Sequence, residues 1–390
     1  MPPPQSYSLP PDKLQRAIEY AHAGYWLHFS SEFWAIAILA AIIATGLSGK
    51  FRDWAVARSR NRFLQALIFV PLLLLTNDIL YLPANICGQH LERKFDQSIQ
   101  SWPSWLWDWT KSELILLVCA VPLAWLLYTV IGRSPRRWWL YFWVATLPII
   151  VTVMYLEPMV LEPLFYRFEP LQRTHPGLVA QIHQLASRAG LAIPSDRMFL
   201  MHASEKVNSL NAYVSGFGAS KRIVVWDTTL EKLTTPETVF VLGHEMGHYV
   251  LGHIQKSLFW LALLLLVLLF VGSRIVRRAV PKTEDWTSLP VLLLIVALFS
   301  LLSEPVVNGY SRMQEHQADI YGLEVTHGVM PDASAAAAQS FQVMGEIGLD
   351  EPNPNRFIEF WLFSHPSTAE RLRFAVTYNP WPNGAERYVR

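Results

Sequence analysis

Residues 240 to 254 read Phe-Val-Leu-Gly-His-Glu-Met-Gly-His-Tyr-Val-Leu-Gly-His-Ile and contain His-Glu-x-x-His. On a helix His244 and His248, four residues apart, stack on one face at a spacing that lets both bind one zinc ion. Glu245 then lies about 100° around the same helix, close to the open side of the metal, where it can take a proton from an attacking water. The chemistry these three types perform together is hydrolysis of a peptide bond.

Catalytic zinc takes three protein ligands and keeps a fourth position open, so a third donor has to come from elsewhere in the chain. Ser-Arg-Met-Gln-Glu-His-Gln-Ala-Asp, residues 311 to 319, offers Glu315 and Asp319, again four apart on a predicted helix. That spacing lets Glu315 bind metal while Asp319 accepts the outer N–H of a ligating His and fixes its tautomer. Standing alone, the stretch would read as a solvated helix face in which Arg312, Glu315 and Asp319 form ion pairs. Beside His-Glu-x-x-His, the ligand reading is preferred. Further on, Ser367 and Glu370 form a capping-box pattern, so a helix begins just after His365. This leaves His365 in a loop and Arg371 on the helix, two cations able to steady an oxyanion; ordinary surface residues at a helix start are the competing reading.

The zinc-binding helix has its own start signals: Thr234 or Thr235 as cap, Pro236 in the first turn, and Glu237 at the positive end. Upstream, 176 to 188 reads as an amphipathic helix, and 198 to 201, 212 to 215 and 223 to 226 as short strands, with Gly216, Gly218 and Ser220 between the last two. A sheet beside the zinc helix can offer its exposed edge to a substrate backbone as an added strand. Asn211 and Ala212 are the substrate-binding candidates on that edge; a hairpin that merely packs on the helix is the alternative.

With 390 residues, 52% hydrophobic and 16% charged, the chain is unlike an ordinary soluble protein. Apolar runs at about 25–47, 63–83, 113–132, 138–156, 257–273 and 289–307 are each near the roughly 20 residues that cross hydrocarbon. A short amphipathic segment over 12–23 precedes them. Trp102, Trp105, Trp107 and Trp109, then Trp138, Trp139 and Trp143, cluster at span ends, where an indole sits well at headgroup level. The metal helix is expected to run up to the fifth span and the sixth to lead directly into Glu315. Asn77, Asp78, Glu157, Glu304 and Asn308, inside or beside spans, should face protein or water rather than lipid. A net charge of +1 and the lack of a basic-aromatic tract give no sign of nucleic acid as a partner. Cys87 and Cys119 are too few for a disulfide framework.

These pieces give a mainly α fold: a polytopic membrane helical bundle of about six spans with a small α+β zinc metallopeptidase domain. The expected divisions are 1–160 with four spans, 161–256 with the His-Glu-x-x-His helix, 257–311 with two further spans, and 312–390 with the third ligand. The partners expected are a peptide or protein substrate, in a lipid-modified form or not, and membrane lipids, with the chain a monomer.

The chain resembles the type I integral-membrane CaaX prenyl endopeptidase family over about 23–375. The resemblance is carried by Leu-Gly-His-Glu-Met-Gly-His-Tyr-Val-Leu-Gly-His, Ser-Arg-Met-Gln-Glu-His-Gln-Ala-Asp, Asn-Ala-Tyr-Val-Ser-Gly-Phe-Gly, Lys-Arg-Ile-Val-Val-Trp-Asp-Thr and Ser-His-Pro-Ser. It implies one zinc ion held by His244, His248 and Glu315, Glu245 as the base, Asp319 outside the ligands, and His365 and Arg371 near the scissile carbonyl. It also implies spans that enclose a water-filled chamber. The family has seven spans where six are counted here. Two readings compete with a CaaX-type peptidase: a quality-control protease for membrane proteins and, less well matched, a transporter. An intramembrane protease of the site-two type fits poorly, because polar sequence precedes the motif.

Orientation divides the two lines of reasoning. Short loops over 48–62, 133–137 and 274–282 carry twelve Lys and Arg, against five (Lys13, Arg16, Arg93, Lys94, Lys111) flanking the first four spans on the zinc side. The positive-inside rule therefore puts the zinc site outside the cytoplasm, whereas the family resemblance implies a cytosolic site.

Overall fold

The structure, a computed structural model, describes residues 4–216 and 220–389; Phe217 and Gly218, which the sequence analysis drew on, lie outside them. The chain opens with helices α1 (Pro11–Ala44), α2 (Leu47–Arg58), α3 (Arg62–Lys94), α4 (Trp102–Arg133) and α5 (Trp138–Leu156). Then come β1 (Phe168–Pro170), the single turn α6 (Leu171–Thr174), α7 (Pro176–Arg188), β2 (Met198–Met201), β3 (Ala212–Ser215) and β4 (Arg222–Trp226). The remainder is helical: α8 (Asp227–Lys232), α9 (Thr235–Val250), α10 (His253–Ala279), α11 (Ser288–Thr326), α12 (Ala333–Gly348), α13 (Arg356–Leu362) and α14 (Thr368–Thr377).

Six of these helices, α1, α3, α4, α5, α10 and α11, are long and apolar enough to cross a membrane. The amphipathic segment and most of the first apolar run are not separate elements: both lie in α1, which continues through Gly24 between them and ends at Ala44. α11 is 39 residues, about 58 Å long at 1.5 Å per residue, so a single rigid rod carries the sixth span and both Glu315 and Asp319.

The metal helix runs up to the fifth span as expected, but the two are separate helices. α9 ends at Val250 and α10 starts at His253, with Gly252 between them at φ +67°. Glycine alone adopts that left-handed conformation without a Cβ penalty, and the turn folds His253 back toward the metal helix. At the front of α9, the Glu237 carboxylate accepts from the Thr234 N–H at 2.8 Å, one half of a capping box.

The sheet has strand order β1-β2-β4-β3, with β2 and β4 parallel and the outer pairs antiparallel. Two cores hold the molecule. One packs Ile182 and Leu185 of α7, Ile223 and Val225 of β4, Phe240 and Leu242 of α9, Phe341 of α12 and Leu372 of α14 around the sheet. The other gathers Phe69, Tyr128, Trp138, Trp286 and Leu289 at the far end of the bundle. There Trp286 donates to Gln65 Oε1 at 3.0 Å and Arg52 pairs with Asp285 at 2.6 Å, bringing the cation-rich loops together at the end opposite the metal motif.

α9 and α11 cross at very short range, and glycine makes this possible. A Cβ on Gly322 would stand 3.1 Å from the His244 N and 3.2 Å from its Cα; one on Gly247 would stand 3.0 Å from Tyr321 Cβ. Gly322→Ala is therefore expected to push α9 off α11, lowering stability by about 1–3 kcal/mol together with metal affinity. Gly272→Ala, whose nearest neighbour would lie at 3.7 Å, is the control expected to change neither. Thermal unfolding and metal titration of the two variants check this.

Candidate active site

The close crossing faces His244 and His248 of α9 toward Glu315 of α11. Among the described residues, their donor atoms form a group of ligand-capable side chains that all lie within 4.8 Å of one another. His244 Nε2 is 3.1 Å from His248 Nε2 and 3.2 Å from Glu315 Oε2, and His248 Nε2 is 3.5 Å from Glu315 Oε1. The outer nitrogen of His244, Nδ1, meets Asp319 Oδ1 at 2.9 Å. That contact holds a proton on His244 Nδ1, so that Nε2 is the nitrogen turned toward His248 and Glu315, where a metal would take the place of a second proton.

Electrostatics favour positive charge at this point. Burial opposes a charge on the His244 ring, but Asp319 and Glu315 against its two nitrogens outweigh it and lift its pKa to about 10. Glu315 Oε2 is buried with no hydrogen-bond partner among the described residues. Two imidazole lone pairs and an unsatisfied carboxylate oxygen turned to one point fit a divalent cation, which would pair all three.

Glu245 is half-buried beside the ligands, and burial pushes its pKa above the ordinary carboxylate range. Its carboxylate makes no hydrogen bond or ion pair to another described side chain. His365 lies in the loop between α13 and α14, with Nε2 3.3 Å from Glu315 Oε1. Arg371 is placed differently from a free oxyanion cation. Its guanidinium is bonded to Asp319 at 2.6 and 3.0 Å, lies 3.4 Å from His244 Nδ1, and rests over the Phe341 ring.

The loop bearing His365 hangs from α11. Asn308 Nδ2 donates to the Trp361 carbonyl at 2.6 Å, Glu304 accepts from Trp361 Nε1 at 3.0 Å, and Arg312 donates to the Glu359 carbonyl at 2.9 Å. These three residues, one turn apart, explain why two acid and amide side chains stand at the end of a span. Glu304 also meets His28 of α1 at 3.2 Å.

β3 is the edge of the sheet and packs against α9. The Trp226 N–H donates to the Asn211 carbonyl at 3.1 Å, so antiparallel alternation turns the N–H and C=O of Ala212 and Val214 to the outer edge. The Asn211 backbone itself is held by Thr229. A cleft of about 510 Å³ runs from Ser209 and Leu210, just before β3, past Tyr20 and Tyr25 of α1 to His365.

One residue at the site carries no role in the sequence analysis. His253 Nδ1 is 3.1 Å from His248 Nδ1, and its Nε2 is 3.1 Å from Gln317 Oε1. The signal was a third His five residues after His248, but the break at Gly252 that turns it inward could not be seen from helical spacing.

A pair of His on one helix, closed by a Glu from a second, at the end of a bundle of membrane-length helices, defines a membrane metallopeptidase. The profile of peptidase family M48 matches residues 172–378, and the profile described as CAAX prenyl protease N-terminal, five membrane helices, matches 1–167. The chain belongs to peptidase family M48. It is 34% identical to an uncharacterized metalloprotease of Bacillus subtilis, YhfN, over 94% of this chain and 86% of that protein. CAAX prenyl protease 1 of Saccharomyces cerevisiae is 26% identical over 79% of this chain and 71% of its own. The fold is that of Saccharomyces mikatae Ste24p, whose crystal structure aligns with TM-score 0.83 at 22% identity, covering 97% of this chain and 92% of that one. Against the five membrane helices of the N-terminal profile, four helices of membrane length precede residue 167 among the described residues.

The family implies a metal, and the geometry gives a test of which side chains hold it. Glu315→Ala is expected to lower metal affinity by more than about tenfold, whereas Glu304→Ala, engaged with Trp361 and His28, should leave it unchanged. Metal per chain after equilibration at limiting zinc reads the difference.

Proposed function

We propose that this chain is a zinc endopeptidase acting on polypeptides delivered at the membrane, with prenylated CaaX-type C-termini as its substrate class. The observation that carries the reading is the convergence of His244, His248 and Glu315 within 4.8 Å, with Glu245 next in sequence to one ligand. Two imidazoles and one carboxylate without a thiolate are a common donor set for catalytic zinc. The relatives named CAAX prenyl protease support the substrate class, as does a site built at the membrane ends of α10 and α11.

Bound zinc would supply Lewis acidity to the scissile carbonyl and make a neighbouring water acidic. Glu245 takes the proton from that water as its oxygen attacks the carbonyl carbon, then hands the proton to the departing amine. The N–H and C=O of Ala212 and Val214 align the substrate as an extra strand along β3, with the Asn211 side chain at the head of that edge. His365 Nε2 donates to the developing oxyanion. Arg371 acts behind the ligands, holding Asp319 against His244. The protein works as a monomer surrounded by lipid.

Glu245→Gln is expected to keep the metal content of the wild type and lose all peptidase activity, because an amide cannot accept the proton. A farnesylated CaaX peptide should be cleaved and its unprenylated counterpart spared. Equal cleavage of both would replace the substrate class with general turnover of membrane polypeptides, and retained turnover by Glu245→Gln would remove Glu245 from the chemistry.

We further propose that the metal site faces away from the cytoplasm, since the twelve cations of the three short loops lie at the opposite end of the bundle. In a background lacking Cys87 and Cys119, cysteine at Gln184 should react with a membrane-impermeant thiol reagent added to intact cells, and cysteine at Arg60 should not. The reverse pattern would put the site in the cytoplasm.

A further inference from the structure

The two ligating histidines are supported from behind in chemically different ways, and the second support rests on His253. This residue is 2% exposed and begins α10. It makes two ring contacts, to His248 Nδ1 and to Gln317 Oε1, each at 3.1 Å. Its carbonyl accepts from Gln314 Nε2 at 3.3 Å, and Gln314 Oε1 accepts in turn from Ser257 Oγ at 3.0 Å. The ring is therefore held at both nitrogens, by α9 and α11, and its backbone carbonyl is tied to α11 as well.

Proton counting orders this chain of contacts. If Nε2 of His248 is to offer a lone pair at the point where it meets His244 Nε2, the neutral ring must carry its proton on Nδ1. That proton can be donated only to His253 Nδ1, which must then be unprotonated. Neutral His253 consequently carries its own proton on Nε2, which faces an amide oxygen that can only accept. Each proton position follows from the next, and the end of the chain is set by Gln317 on the same helix as Glu315.

We infer that His253 and Gln317 form a proton-ordered relay that locks His248 in its Nδ1–H tautomer and fixes its ring plane, making His253 a positioning residue for metal binding. This rests on the proposal that His248 is a ligand. The relay complements the other side of the site, where Asp319, held by Arg371, does the same for His244 with a full negative charge. His248 receives a neutral partner instead, so the site gains orientation without a further charge. It also joins the first residue of a membrane-length helix directly to a ligand.

The test uses the purified full-length protein in detergent, with zinc affinity from chelator competition and the visible spectrum of the cobalt-substituted protein as readouts. His253→Leu and Gln317→Leu should each weaken zinc by about 10–100-fold and alter the cobalt bands, which report ligand geometry. His253→Asn, whose Oδ1 can stand where Nδ1 accepts, and Gln317→Glu, which can accept from Nε2, should stay near the wild type in both. Wild-type affinity and spectrum in His253→Leu would overturn the relay, as would equal losses in the Leu and Asn variants. If His253→Leu does not fold, the Gln317 pair decides on the same criteria. Failure of the wild type to bind zinc would instead overturn the reading of the site itself.

Discussion

Two helices have to cross with almost no side chain between their backbones for three donor atoms to meet. Gly243 and Gly247 on α9 face Thr326, Val325 and Tyr321, while Gly322 on α11 faces the backbone of His244. A methyl group at any of these would crowd atoms to about 3 Å, where packed interiors have no slack. The metal-ligand geometry follows from this contact: His244 is set by Gly322, and Glu315 lies two turns before it on the same rod. The sheet, the α12–α14 layer and the membrane bundle all bear on the crossing from outside.

α11 is the shared spine. Its first part lies in the membrane bundle, where Ser288 bonds Tyr128 at 2.7 Å. Glu304, Asn308 and Arg312 then hold α13 and the loop to His365, Glu315 and Asp319 reach the two histidines of α9, and Gln317 reaches His253. A rigid helix transmits position along its length, so the approach of the His365 loop and the placement of Glu315 are tied to the packing of a membrane span. This gives a physical reason for building hydrolysis at the end of a bundle. The candidate metal group sits near the start of α10 and on α11, and so is fixed by elements that carry membrane-length spans.

Much of the fold could be read from local patterns. The six spans follow from length and hydropathy, the start of α9 from Thr234, Pro236 and Glu237, and the three strands from short β-rich runs. The facing of Glu315 and Asp319 toward the histidines could be guessed from four-residue spacing, because helical periodicity is a local property. What was hidden depends on tertiary contact or on backbone conformation at one residue. Gly252 separates the metal helix from the fifth span through a single left-handed turn, and nothing in the polar or apolar pattern marks it apart from other glycines. Arg371 looked free from its position on α14, but packing commits it to Asp319. His253 was in plain view within the motif, and its contact with His248 arises only after the Gly252 turn.

The central claim is that one metal ion lies between α9 and α11, bound by His244, His248 and Glu315. The most direct measurement is an anomalous difference map at the zinc edge from crystals of the zinc-replete protein. The account predicts one strong peak, about 2.0–2.2 Å from Nε2 of both histidines and from a Glu315 oxygen. A zinc peak elsewhere in the molecule, or a peak at this point with Glu315 turned away, would contradict it.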